Sequence, residues 1–299
     1  MRILITGGTG LIGRQLCTVL LAEGHELTVL SRNPASVPAK CAARVHALAS
    51  LAEWLPGQTF DAVINLAGEP IVDARWTAQR KQALWDSRVT LTGELVRRIA
   101  AAGNKPSVLL SGSAVGFYGN CGDIMLDEAA GAGADFAAQL CKAWESAARG
   151  AEQSGVRVCL LRTGLVLSRD GGLLGRMLLP FKMCMGARLG DGKQWMSWVH
   201  IDDYVAMLLR LLRDEKTGGP CNMTAPQPVT NAEFTATLAR VLHRPAPFVA
   251  PAALLKLAMG ERAGLMLEGQ RVLPGKMETA RFRFAFTNLA DALRNLLGK

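Results

Sequence analysis

The chain is short of the features that several functional classes need. No apolar run approaches the roughly 18 residues that span a bilayer, so no membrane partner is expected. The first residues already read as a strand, no signal or transit peptide is visible, and a cytoplasmic protein is expected. There are four histidines, His25, His46, His200 and His243, far apart and at no ligand spacing from a cysteine, which argues against a metal site. The seven cysteines (Cys17, Cys41, Cys121, Cys141, Cys159, Cys184, Cys221) are odd in number, scattered and without a C-x-x-C pair. That points to reduced thiols rather than a disulfide framework. Tyrosine occurs only twice, at Tyr118 and Tyr204. Repeats and low-complexity segments are missing. The net charge is +9, but the basic residues are spread rather than clustered with aromatics, so nucleic acid is not expected as a partner. An anionic cofactor, and a small-molecule substrate that is itself anionic, account for part of the excess.

Glycine, by contrast, is abundant, and its most informative placement is at the start. Arg2-Ile3-Leu4-Ile5-Thr6 reads as a strand, Gly7-Gly8-Thr9-Gly10 as a turn, and Leu11, Ile12, Leu16, Val19 and Leu20 as the apolar face of a helix. The spacing is T-G-x-x-G-x-x-G. Gly7 allows the tight turn, Gly10 lets the backbone approach a pyrophosphate, and Gly13 lets the helix pack closely on the strand. The free N–H groups and the dipole of the helix favour phosphate. A second strand, Glu26 to Ser31, completes a βαβ context for the motif.

The residue beyond that second strand meets the adenosine ribose. A carboxylate there suits the 2′-OH of NAD, whereas an arginine suits the 2′-phosphate of NADP. Leu30-Ser31-Arg32-Asn33-Pro34 contains no carboxylate. Arg32 offers a planar fork, and Ser31 a hydroxyl and a backbone N–H, so NADP is the expected cofactor.

Strand and helix patterns alternate to about residue 165. Arg44–Leu48, Asp61–Gly68, Ser107–Ser113 and Arg157–Arg162 read as strands, and Thr77–Ala102 and Phe136–Gln153 as helices. Apolar strands separated by helices imply an α/β fold with a doubly wound parallel sheet of Rossmann type. Past residue 165, a Met/Leu-rich stretch, Leu173 to Met185, follows Gly171-Gly172. Glycines and prolines punctuate the rest, as at Gly218-Gly219-Pro220. We expect a dinucleotide-binding domain over residues 1–166. A smaller, mainly helical C-terminal lobe over 167–299 is expected to be partly interleaved with it and to cover the carboxyl ends of the strands.

Several stretches resemble the extended short-chain dehydrogenases, the sugar-nucleotide epimerases and dehydratases. They are the opening motif, Asn65-Leu66-Ala67-Gly68, Ser111-Gly112-Ser113 and Trp198-Val199-His200-Ile201-Asp202-Asp203. The branch most similar is the atypical YfcH-like epimerase family proteins. That likeness is carried by Ala67-Gly68-Glu69-Pro70, Arg75-Trp76, Asp86-Ser87-Arg88, Leu161–Gly164, Gly192–Trp195, Leu267–Pro274 and Phe284-x-Phe286-Thr287, and so covers essentially the whole chain. The resemblance implies that Gly7, Thr9, Gly10, Leu11, Ile12, Gly13, Ser31, Arg32, Leu66, Ala67, Gly68 and Arg88 line the cofactor. It also implies that Leu165 and Val166 pass the nicotinamide and that the long helices can form a homodimer. For Arg88 the alternative is an ordinary helix-surface arginine.

Active extended members carry Tyr-x-x-x-Lys on the helix after the serine strand, the lysine lowering the phenol pKa. With Lys142 in the lysine place, the tyrosine place is Ala138. The remaining candidate phenol is Tyr118, with Ser113 (or Ser111) to polarise a substrate oxygen. The alternative is that Tyr118 packs in its loop. Trp195, Trp198 and His200 form either an aromatic edge over the cleft or a packing seam between lobes. Trp195-Met196-Ser197-Trp198 also stands where extended members often carry a diphosphate-binding arginine, which weighs against a nucleotide sugar. Two functional readings follow. One is an NADP-dependent oxidoreductase or epimerase acting on a small polar, sugar-like substrate through Ser113 and Tyr118. The other is an NADP-binding sensor or interaction protein that has lost hydride chemistry.

Overall fold

The computed structural model describes residues 1–55 and 57–299. Seven parallel strands form the central sheet: β1 (Arg2–Thr6), β2 (Glu26–Leu30), β3 (His46–Leu48), β4 (Ala62–Asn65), β5 (Val108–Ala114), β6 (Arg157–Thr163) and β7 (Gly219–Met223), in the order β7-β6-β5-β4-β1-β2-β3. The order reverses between β1 and β4, which opens a crevice at their carboxyl ends.

The strands alternate their side chains between two cores. Ile3, Ile5, Ile64, Leu110 and Leu161 face one, closed by helix α1 (Leu11–Ala22) and by a later helix, Ile201–Arg213. Leu4, Val63, Leu109, Val158 and Leu160 face the other, closed by Leu95, Ile99 and Ala148. Burial on both faces is what the apolar runs demand. The expected helix over Thr77–Ala102 is present but interrupted. It comprises α2 (Ala78–Trp85), one π turn over Asp86–Thr90, and α3 (Leu91–Ala101). Thr77 caps its start by accepting from the Arg80 N–H at 3.1 Å. Next comes α4 (Phe136–Arg149), whose Asp135 cap accepts from Ala138 N–H at 2.9 Å.

The lobe includes α5 (Gly172–Lys182), the helix Asn231–Leu242 and the C-terminal helix Leu289–Leu297, packed around Trp198 and Phe234. Its chain returns to the core, since α6 (Ile201–Arg213) and β7 belong to the main sheet layer. Strand β7 escapes the sequence reading because Gly219 and Pro220 look like turn residues. They are tolerated because β7 is the sheet edge, where proline forfeits no ladder bond. No helix of the described residues is long and apolar enough to cross a membrane.

His200 begins α6, as its place before Asp202-Asp203 suggests. Its Nδ1 accepts from the Asp202 N–H at 3.1 Å, Nε2 faces Asn295 Oδ1 at 3.2 Å, and Phe286 stacks on the ring at 4.0 Å. Asp203 accepts from the N–H groups of Ala285 and Phe286 at 2.8 and 2.9 Å and so ties down the C-terminal segment. Burial pushes the His200 pKa below its ordinary value. The unfolded chain therefore takes up this proton first, and stability falls as pH drops below about 6.5. In urea titrations at pH 7 and pH 5.5, His200→Asn, which keeps a capping side chain, should show a smaller loss on acidification than the wild type.

Candidate functional site

The crevice is a hollow of about 400 Å³ lined by Gly7, Gly10, Leu11, Ile12, Gly13, Leu66, Gly68, Gly164, Leu165, Val166, Gly172 and Leu173. It brings together nine of the sequence-predicted cofactor residues (Gly7, Gly10, Leu11, Ile12, Gly13, Leu66, Gly68, Leu165, Val166). Gly164, Gly172 and Leu173 are additions to the predicted set. Thr9 and Ala67 lie in the turn after β1 and the loop after β4 and are not among the residues that line the hollow.

The glycines are sterically required. Gly7 has φ +72°, and a Cβ there would lie 2.5 Å from the Leu66 carbonyl oxygen. A Cβ on Gly13 would lie 2.3 Å from the Gly7 carbonyl oxygen. Gly10 caps α1 without a side chain, is exposed, and leaves the first N–H groups of the helix open to the crevice. These are the properties of a phosphate cradle. A second hollow of similar size lies across Leu11, lined by Arg14, Asp170, His200 and Asp202 among others, and has no such backbone cradle.

The wall opposite the cradle is the loop after β4. Asn65 sets it from below. Its Oδ1 accepts from Thr6 Oγ1 at 2.6 Å, and its Nδ2 donates to Thr92 Oγ1 at 2.8 Å and Ser111 Oγ at 3.2 Å. The π turn holds the loop from the side. Arg88 donates to the Glu69 carbonyl at 2.8 Å, and Ser87 Oγ accepts from the Glu69 N–H at 3.1 Å. The Arg88 guanidinium sits 3.0 Å from where a Gly68 Cβ would be. Arg88 is thus partly buried behind the loop rather than on an open helix face.

At the adenosine end, one expectation is corrected. The Ser31 N–H is bonded to the Leu48 carbonyl at 3.0 Å, because β3 pairs with β2 and uses that donor, and the Ser31 hydroxyl closes a turn with Asn33, donating to its carbonyl at 3.1 Å and accepting from its N–H at 3.2 Å. Arg32 is exposed but not alone. It meets Glu69 Oε1 at 2.5 Å, across 37 residues. No local pattern marks that contact. The signal was Glu69 itself, in a motif already singled out beside the cleft.

Ser113 and Tyr118 are not brought to the crevice as reactive groups. Ser113 is buried and donates to Glu145 Oε1 at 2.7 Å. Glu145 takes a two-point ion pair from Arg162, 2.8 Å from Nε to Oε1 and 3.0 Å from Nη2 to Oε2. Arg162 Nη1 also donates to the Tyr118 hydroxyl at 3.0 Å, and that hydroxyl donates to Asn222 Oδ1 at 2.7 Å. Tyr118 is 1% exposed, and burial raises its pKa despite Arg162. A phenol so enclosed has no path to a substrate, and Tyr118 is withdrawn as the proton carrier. Tyr204 is equally enclosed against Thr163 Oγ1 at 2.9 Å, its pKa pushed up to about 12 by burial.

The helix phase corrects a further expectation. On α4, Lys142 is exposed, while Cys141 is buried and Glu145 is the side chain that accepts from Ser113. The Cys141 thiol is pushed up to about 12 by burial and is inert. Trp198 and His200 are buried, and Trp198 donates to the Gln227 carbonyl at 2.8 Å, so they form a packing seam. Trp195 alone is partly open, bonded to Asp123 Oδ1 at 2.7 Å and covered by Arg271.

Residues 3–223 match the NAD dependent epimerase/dehydratase family, and residues 250–296 match a domain of unknown function, DUF1731. The chain is similar to epimerase family protein Mb2239 of Mycobacterium bovis, at 43% identity over 97% of this chain and 95% of that one. It is similar also to the chloroplastic SDR39U1 homologue of Arabidopsis thaliana, at 39% identity over 99% and 87%. The crystal structure of human epimerase family protein SDR39U1 with NADPH superposes with a TM-score of 0.90, at 33% identity, covering 100% of both chains.

Two substitutions test this geometry. Removing one partner of a buried ion pair strands the other charge, so Arg162→Met should lower stability by about 3–5 kcal/mol in urea unfolding. Gly13→Ala should cost about 1–3 kcal/mol through the forced separation of α1 from the turn, measured the same way.

Proposed function

Because the chain belongs to the NAD dependent epimerase/dehydratase family, we propose that it is an NADP(H)-binding protein of the short-chain dehydrogenase type that works without a tyrosine proton relay. The observation that carries this reading is the glycine cradle beneath the open N-terminus of α1, with Arg32 two residues beyond the end of β2. The backbone of Gly10–Gly13 would hold the pyrophosphate. Arg32 and the Ser31 hydroxyl would hold the 2′-phosphate, and Leu165, Val166 and Leu173 would pack on the nicotinamide. When bound, that ring supplies hydride exchange. The NADPH present in the human relative supports the choice of nucleotide.

The relay position is closed rather than merely altered. Ala138 in the tyrosine place has no proton to transfer, and beside it Ser113, Glu145 and Arg162 are bonded to one another in a buried network. This supports a role carried by cofactor binding. A second reading, hydride exchange with a small polar substrate, is favoured by the seam between core and lobe. There the basic residues Lys81, Arg176 and Arg262 reach across, to Glu261, Asp73 and the Val72 carbonyl respectively. A small polar, sugar-like molecule bound at this seam would exchange bonds with these already paired groups.

Calorimetric titration of the purified protein decides between these. NADPH should bind roughly ten- to hundredfold tighter than NADH, the size of one or two charge-assisted hydrogen bonds. Arg32→Ala should bring NADPH to the NADH level. Equal, weak binding of both nucleotides by the wild type would overturn the cofactor assignment. Steady oxidation of NADPH with any member of a panel of sugars and small carbonyl compounds would overturn the binding role in favour of the second reading.

A further inference from the structure

Arg32 carries the recognition of the 2′-phosphate in the reading above, yet its guanidinium already has an anion. The side chain is 90% exposed and its Nη1 lies 2.5 Å from Glu69 Oε1. Glu69 is far better held. Its side chain is only 20% exposed, its second oxygen lies 3.3 Å from Arg80 Nη1, and Ser87 and Arg88 bond its backbone N–H and carbonyl. The carboxylate is therefore fixed by the π turn and α2, and Arg32 is the partner free to turn. Arg80 is itself 19% exposed, and its Nε is buried without a partner. It has donor capacity to keep Glu69 once Arg32 has left.

We propose that Glu69 is a specificity-determining residue: an internal carboxylate that occupies Arg32 in place of the 2′-phosphate and competes with it. This inference rests on the NADP(H) reading. The competition follows from charge. A phosphate monoester carries about −1.5 to −2 and presents three acceptor oxygens, so it outbids a single exposed carboxylate contact. It must still displace Glu69 from the guanidinium before it can bond Arg32, and the cost of breaking that contact is subtracted from its affinity. NAD(H) has no phosphate there and meets no such penalty. Arg32, followed by Arg80, holds the Glu69 carboxyl below the usual carboxylate range, so the competitor is charged at neutral pH. Glu69 thereby narrows the preference for NADP(H) that Arg32 creates.

The test is calorimetry on the full chain with NADPH, NADH and adenosine 2′,5′-bisphosphate. Glu69→Gln should tighten both 2′-phosphorylated ligands by about two- to fivefold, the effect of one exposed charge contact, and leave NADH unmoved. In an Arg32→Ala background the same substitution should do nothing. Glu69→Ala, with its unfolding midpoint measured, provides a second variant free of any new amide contact and should show the same ligand dependence. An unchanged affinity for NADPH in both Glu69 variants, an equal gain for NADH, or a gain that survives in Arg32→Ala would each overturn the inference alone. A folded wild type that binds neither NADPH nor the bisphosphate would overturn the cofactor reading and this inference with it.

Discussion

The crevice depends on one buried amide. Asn65 sits at the end of β4, where the strand order reverses, with 1% of its surface exposed. Through its two side-chain atoms it joins Thr6 on β1, Ser111 on β5 and Thr92 on α3, and Thr92 in turn accepts from Trp144 on α4 at 2.9 Å. A buried amide is costly unless its donors and acceptors are met. Here they are met by elements that must each be in register. The position of the loop Leu66–Pro70 is thus set by the same bonds that set the sheet. Thr6 Oγ1 extends the chain of contacts by accepting from the Ala67 N–H at 3.2 Å. Fold and cleft are in this sense one hydrogen-bonded object.

The parts of this arrangement that repeat along the chain were legible in the sequence. The glycine spacing at 7, 10 and 13 has a steric cause within a few residues, and the alternation in Ile3-Leu4-Ile5 is a local period. The parts that were hidden depend on contacts or phases that no local period records. Strand β7 carries turn-like residues because it is an edge. The π turn inserts a residue into a helix whose apolar pattern continues on both sides, and so it shifts Ser87 and Arg88 towards the loop unannounced. Whether Lys142 or Glu145 meets Ser113 depends on the rotational phase of α4 against β5. The pairing of Arg32 with Glu69 joins two loops that become neighbours only when β1 lies between β2 and β4.

The buried group of Ser113, Glu145, Arg162 and Tyr118 is an internal charge balance. One carboxylate and one guanidinium cancel, and the hydroxyls satisfy the remaining positions. The stacking of the Arg162 guanidinium on Phe117, 3.6 Å from its ring centroid, adds a cation–π contact in a site closed to water. Such a cluster is rigid and specifies the join between β5, β6 and α4. It is also unsuited to changing its protonation, since loss of either charge would leave the other buried.

The path of the chain between sheet and lobe bears on how the cleft opens. The backbone leaves the sheet at Gly164, returns with α6 and β7, and leaves again after Met223. It then sends Arg271–Val272 back to pair with Met125–Leu126, before the C-terminal helix joins the lobe. A lobe attached by a single crossing can swing about it as about a hinge. A lobe stitched through several crossings cannot rotate without bending strands in concert. Rotation of the lobe as a whole is thereby restrained, and a shear of small amplitude between packed helices is the motion such stitching leaves available.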